Sequence, residues 1–404
     1  MVRLTRSLVP LLVFVLGCFA YGSLGDSPVA AQGEKKVDPK VDVKKDDVKK
    51  ADVKKDDVKK KDEPKKEEKK EEVKKEEPKK EPFVPDIPTV ELKGHSDWVN
   101  GVAFLPDGKA LVSVGRDRTI RIWEIATKKE KLILKDLPTN AKGLAVADGK
   151  IFASTGKWDK EKKAWEGEIK IFDLAGKALG SLKGHGETIE AIVVSKDGKI
   201  LASASEDLTG KLWDVAASKE SVGLKGHTKT VHAIALSPDG KTVATASADG
   251  SLKVWNVVDG KDVATIKSTE TETSVVDPKS KKETKTKIPG RAFTTVAFSA
   301  DGKKLVAGNL DGEVKIIEIE GSKELANKKA HEGVWAVAIS PDGSKIATGG
   351  WDQTIKIWDA AGKELSTIKA HTGTVTTLAF SPDGQAIASG GTDGFIRIWP
   401  STKK

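Results

Sequence analysis

Between residues 230 and 267, apolar and polar side chains alternate in four short runs, TVHAIALS, KTVATAS, SLKVWNV and KDVATIK, separated by PDG, ADG and VDG. Alternation with a period of two puts successive side chains on opposite faces of a strand, and Asp-Gly supplies the backbone freedom a tight turn needs. The stretch therefore predicts four consecutive antiparallel strands. One such unit cannot cover both of its own faces, so it calls for neighbours of the same kind.

The unit recurs along the chain. An aspartate followed by an alternating run stands at Asp117, Asp207, Asp249, Asp311, Asp352 and Asp393, and in all but the fourth the run ends in tryptophan. The interval from Asp117 to Asp207 is two units long. The missing unit between them is IFASTGKWDKEKKAWEGEIKIFDL (151–174), with Phe172 in the tryptophan position. Seven units result, and radial stacking of seven four-stranded units predicts an all-β, seven-bladed β-propeller over 87–404.

The last unit ends at Trp399 with no fourth strand, whereas IPTVELK (87–93) alternates but belongs to no unit of its own. It matches the fourth runs KALGSLK (177–183) and KELSTIK (363–369). Residues 88–93 are therefore expected to complete the seventh blade and close the ring, leaving no open sheet edge.

Gly-His at 94–95, 184–185 and 226–227, relaxed to Ala-His at 330–331 and 370–371, precedes each tryptophan by about 30 residues. In this the chain resembles the WD-repeat propellers. The resemblance implies a hydrogen-bonded set of His, hydroxyl, Asp and Trp in each complete unit. By position these are His95, Ser113, Asp117 and Trp123; His185, Ser203, Asp207 and Trp213; and His227, Thr245, Asp249 and Trp255. The sixth unit supplies His331, Thr348, Asp352 and Trp358, and the seventh His371, Ser389, Asp393 and Trp399. A Ser/His/Asp trio also suggests hydrolysis, but five copies at equivalent positions argue for a structural role.

The N-terminal part is of another kind. Arg3 and Arg6, an apolar run SLVPLLVFVLG (7–17) and small residues up to SPVAAQG (27–33) follow the order of a secretory signal. This predicts a signal over 1–31 cut after Ala31; VLGC at 15–18 resembles a lipobox and offers lipidation of Cys18 as the alternative. Either way an exported protein of the periplasm or cell envelope is expected, touching membrane only through such an anchor. Cys18 is the only cysteine, so disulfides, thiolate metal sites and cysteine nucleophiles are excluded from 87–404. Residues 32–86 read as a solvated, disordered spacer: 34–82 hold 20 lysines against 17 acidic residues, and valines at 43, 48, 53 and 58 fit neither helix nor strand. The net charge of +9 is thus spread along the chain and gives no basis for nucleic-acid binding.

Function is sought where units depart from the repeat. The second has lost its His and Trp and has an enlarged turn, GKWDKEKKAWEGE (156–168); the fifth has lost His, hydroxyl and Trp, and an insertion at 268–292 precedes it. Alternation places Trp98 and Asn100 toward the turn face, with the residues before each turn aspartate, among them Arg116, Trp158 and Trp351. With Trp165 these form the candidate partner site, on units one, two and six, which ring closure is expected to make near neighbours. Trp and Arg dominate interaction hot spots. The favoured reading is a monomeric, non-catalytic scaffold of the envelope that binds a protein or peptide, without cofactor or metal. The alternative is an enzyme or small-ligand propeller using the central channel, although no phosphate loop or metal-ligand spacing is present.

Overall fold

The turns within each unit close as the sequence indicates: Gly240 (φ 71°) and Gly250 (φ 79°) take the left-handed conformation that other residues adopt at a cost. The computed structural model describes residues 88–161, 163–268, 271–276, 283–288 and 290–402. The expected signal, Cys18 and spacer lie outside these residues.

Seven four-stranded antiparallel sheets form a ring. Blade 1 comprises β2–β5 (residues 99–134), blade 2 β6–β9 (144–185), blade 3 β10–β13 (189–224) and blade 4 β14–β17 (231–267). Blade 5 comprises β20–β23 (293–329) and blade 6 β24–β27 (334–369). Blade 7 takes β28–β30 (375–400) from the end of the chain and β1 (Val90–Lys93) from its beginning. β1 pairs with β30 (Phe395–Pro400) in the register Val90↔Ile398 and Leu92↔Ile396. The 268–292 insertion contributes a separate hairpin, β18 (Thr271–Val276) on β19 (Glu283–Ile288).

The core lies between blades. Small and β-branched side chains of each inner strand pack on the next blade, so Val99, Leu111 and Trp123 of blade 1 share a cluster with Leu92 and Ile396 of blade 7. Blade 5 carries Ile317 where five other blades carry tryptophan, and one continuous cluster runs from blade 4 to blade 6 around it.

Inner strands are not regular. Between the first and third residues of β2 (Val99–Phe104), β10 (Ile189–Val194), β14 (Val231–Leu236), β20 (Phe293–Phe298), β24 (Val334–Ile339) and β28 (Val375–Phe380) the pairing register slips. The skipped residues are Asn100, Glu190, His232, Thr294, Trp335 and Thr376. Lys142 holds the matching place ahead of β6 (Leu144–Ala147), one residue before Gly143, whose carbonyl accepts from Ser154 N at 2.9 Å. A bulge re-aims the extra side chain, and here several of these side chains reach the neighbouring blade. Asn100 Nδ2 donates to Ala141 O at 2.8 Å, Thr294 Oγ1 to Val334 O at 2.6 Å, and Thr376 Oγ1 to Val99 O. Asn100 is therefore corrected from a rim residue to a buried inter-blade latch. A strict alternation cannot foresee this, because the bulge shifts the count by one.

Candidate functional site

Two kinds of turn meet at one end of the ring: the Gly-His turn entering a blade, and the aspartate turn between its second and third strands. In blade 1, His95 Nδ1 lies 2.9 Å from Asp117 Oδ2 and His95 Nε2 lies 2.7 Å from Ser113 Oγ. Trp123 Nε1 donates to the same Ser113 oxygen at 2.8 Å. The indole can only donate, so the hydroxyl accepts from it and gives its own proton to His Nε2, which leaves Nδ1–H for the carboxylate.

The pattern recurs with small variations. His185–Asp207, His227–Asp249, His331–Asp352 and His371–Asp393 measure 2.7, 2.9, 2.8 and 2.9 Å. The bonds to Ser203, Thr245, Thr348 and Ser389 measure 2.7, 2.7, 2.8 and 2.7 Å, and Trp213, Trp255, Trp358 and Trp399 donate to those oxygens. Burial pushes Asp207 up, but the hydrogen bonds from His185, Thr209 and the Gly186 amide outweigh it and hold the carboxyl down at about 2. Asp117, Asp249, Asp352 and Asp393 are lowered by the same balance. This is the connectivity of a hydrolytic triad, yet all five hydroxyls are 0% exposed and already held by an indole. No substrate carbonyl can reach them.

The two incomplete blades use substitutes. In blade 5, Arg291 Nε pairs with Asp311 Oδ1 at 3.2 Å in the open. In blade 2, Phe172 and Ala153 replace Trp and hydroxyl, and Ser154 Oγ instead receives Gly143 N at 2.6 Å.

The candidate partner residues fall into separate groups on this end. The Arg116 guanidinium lies 4.9 Å from the centroid of the Trp98 ring, and Arg116 also approaches Asp97 at 3.9 Å. Arg116 is exposed and Trp98 half-buried. β7 (Lys150–Asp159) and β8 (Ala164–Asp173) are ten residues each against five or six in the other central strands, and this extension carries Trp158 opposite Trp165. Their rings meet edge-on at 5.7 Å, and they remain 49% and 39% exposed. Trp351 is half-buried, 5.7 Å from the Trp335 ring, and a Cβ on Gly333 would sit 2.8 Å from it. Blade 6 does not adjoin blade 1: β28 of blade 7 packs on both β24 and β2. The expected nearness of Trp351 to Trp98 is thus corrected, because closing the ring with a seventh blade interposes it.

Sequence reasoning missed the charged members of the inner ring. Lys142 Nζ bonds Glu190 and, at 3.3 Å, Glu206. The signal was present, since Lys142 in NAKGLAV and Glu190 in TIEAIVV interrupt runs of small and apolar residues.

The profile described as "WD domain, G-beta repeat" matches residues 87–124, 176–214, 218–256, 283–318, 322–359 and 362–400, more than half of the chain. β6, β7 and β8 lie outside these stretches. Among similar proteins, nuclear distribution protein PAC1-2 of Uncinocarpus reesii is 29% identical over 32% of each chain. Nuclear distribution protein nudF of Emericella nidulans is 30% identical over 30% of each. Apoptotic protease-activating factor 1 of Rattus norvegicus is 29% identical over 32% of this chain and 13% of its own. The chain spans about a third of the length of these fungal relatives and less of the rat one. These relatives overturn the expected location in a periplasm or envelope. They belong to fungi and a rat, which have no bacterial envelope, and the fungal ones are named for nuclear distribution; an arginine-led apolar run cannot outweigh them.

Proposed function

The chain is a member of the WD-domain, G-beta-repeat family, and from that premise we propose that it is a non-catalytic protein-interaction scaffold that binds a protein or peptide on the rim carrying its Gly-His turns. The observation that carries this reading is the contrast between two sets of side chains at one end of the ring. The His, hydroxyl and Trp members of the repeated sets are sealed, while residues peculiar to single blades stand accessible: Arg116 over Trp98, and Trp158 against Trp165. Tryptophan supplies large contact area with few rotamers to freeze, and arginine is enriched beside it at interaction hot spots. Trp351, packed on Trp335, is a further contact. The relatives support the reading in general terms, the rat protein being named as an activator of a protease and so of another protein. The seventh blade is completed by a strand of the same chain, which supports a monomer.

The test is retention of a partner from an extract of the protein's own cells by three immobilised forms: the native chain, a Trp98→Ala, Arg116→Ala variant, and Val258→Ser on the opposite end. Val258 is 84% exposed, so its replacement leaves the fold alone. A protein held by the native and Val258→Ser forms and lost by the rim variant is the expected result. Equal retention by all three contradicts the reading.

A further inference from the structure

Five arginines fall among the described residues: Arg116, Arg118, Arg121, Arg291 and Arg397. Three of them stand within 3.2 Å of a carboxylate oxygen, Arg121 at Glu130, Arg291 at Asp311 and Arg397 at Glu91 and Asp393. The guanidinium groups of Arg116 and Arg118 make no hydrogen bond to any described residue. Both are exposed, and they flank Asp117 on one turn of the Gly-His rim.

Arg116 is nonetheless held in place. Its backbone N donates to Trp98 O at 2.8 Å, which ties the aspartate turn to the Gly-His turn. Its guanidinium lies over the Trp98 ring, and stacking on an indole fixes the plane of the group while leaving its N–H edge free. The nearest described carboxylate, that of Asp97, does not take this edge. Asp97 Oδ1 accepts from the Trp98 amide at 2.8 Å, and Asp97 Oδ2 stays 3.9 Å from Arg116 Nε, beyond a hydrogen bond. With these side chains 51% and 42% exposed, water screens the attraction that remains.

The turn itself does not require the two arginines. The residues on either side of the turn aspartate are Glu206 and Leu208 in blade 3, Ala248 and Gly250 in blade 4, and Thr392 and Gly394 in blade 7. Asp117, between the arginines, is turned inward: its side chain is 3% exposed and accepts from His95, Ser96 and Thr119. Blade 1 thus presents a pre-positioned guanidinium whose donors are unused, with a second cation two residues away.

We propose that Arg116, stacked on Trp98 and with Arg118 beside it, is a subsite for one carboxylate side chain, aspartate or glutamate, of the protein partner. The proposal rests on the reading of this rim as the docking face and specifies part of what docks there. A carboxylate matches the planar fork of a guanidinium with two parallel hydrogen bonds. It displaces Asp97 at little cost, because that contact is long and hydrated. The residue next to it in the partner then meets the exposed part of the Trp98 ring, which suits an apolar side chain.

The experiment titrates the isotope-labelled full chain with the peptide acetyl-Leu-Glu-Leu-amide and with its uncharged isostere acetyl-Leu-Gln-Leu-amide, following the amide resonances of Asp97, Arg116 and Arg118 and the indole N–H of Trp98. Saturable shifts with the glutamate peptide alone are expected, weakened about tenfold or more in Arg116→Gln, as loss of a charge-assisted hydrogen bond implies. Arg116→Lys keeps the charge but loses the fork and is expected to weaken binding as well, whereas Arg291→Gln, at the paired arginine of blade 5, leaves the titration unchanged. No saturable shift, equal binding of the glutamine peptide, undiminished affinity in Arg116→Gln or equal weakening by Arg291→Gln overturns the subsite. Full affinity in Arg116→Lys overturns the fork, and tighter binding of inorganic phosphate than of the glutamate peptide at one ionic strength overturns the choice of a carboxylate. Any of these, with partner retention still lost on replacing Trp98 and Arg116, removes the subsite and leaves the docking face standing; retention that survives the replacement removes the face itself.

Discussion

Arg397 Nε donates to Glu91 Oε2 across 2.8 Å, although 306 residues separate the two along the chain. The bond lies on the seam where β1 completes the seventh blade. It is part-exposed, and such pairs contribute about 1 kcal/mol or less. Leu92 beside it is 1% exposed and packs among residues of blades 1 and 7. In chemical denaturation Leu92→Ala is expected to cost about 2–5 kcal/mol and Glu91→Gln about 1 kcal/mol or less. The reverse order would mean that the seam is held by charge rather than by burial.

Ser113 accepts from Trp123 and donates to His95, so Ser113→Ala strands two buried nitrogens at a cost of about 1–3 kcal/mol each. Blade 2 shows the compensated form, with Ala153 and Phe172 in the two places. Adding Trp123→Phe to Ser113→Ala is expected to cost less than the two single changes together, with a coupling of about 1 kcal/mol. Additive costs in a double-mutant cycle would deny that the set acts as a unit.

Asp207 sits at about 2 rather than its ordinary 3.8. A lowered carboxyl contributes stability that is present above 3.8 and lost as pH falls through about 2. Unfolding free energy is therefore expected to drop over that acid window, and Asp207→Asn to flatten the drop. A slope equal to that of the native chain contradicts the assignment.

Glu190 acts with the opposite sign. Its folded value is raised from 4.5 to about 8, so the stability it lends is full below 4.5 and gone above about 8. Glu190→Gln keeps the hydrogen bond and cannot ionise, so the variant is expected to melt at a higher temperature than the native chain at about pH 9. A lower melting point there would show that the ionised carboxylate is well matched after all.

Much of this was legible in the sequence. Asp-Gly turns and period-two alternation gave seven units, and the unassigned run at 87–93 located the closing strand, because both depend on local backbone chemistry. The inner-strand bulges were not legible: one extra residue reverses the facing of its side chain without altering composition, which moved Asn100 from the rim to an inter-blade bond. The Lys142, Glu190 and Glu206 cluster stayed hidden for a related reason. Its members come from two blades, one of which lacks the His and Trp landmarks, and only the packing of β10 on β6 brings them together. Trp351 was misplaced beside Trp98 because blade adjacency was counted without the seventh blade between them.

Hydrogen exchange of the full chain with and without its captured partner tests the docking face most directly. Slowed exchange in 96–98, 115–118, 156–168 and 350–353, with the opposite turns at 105–108 and 238–240 unchanged, is the expected result. Slowed exchange at those opposite turns, with the Gly-His rim unchanged, would contradict it.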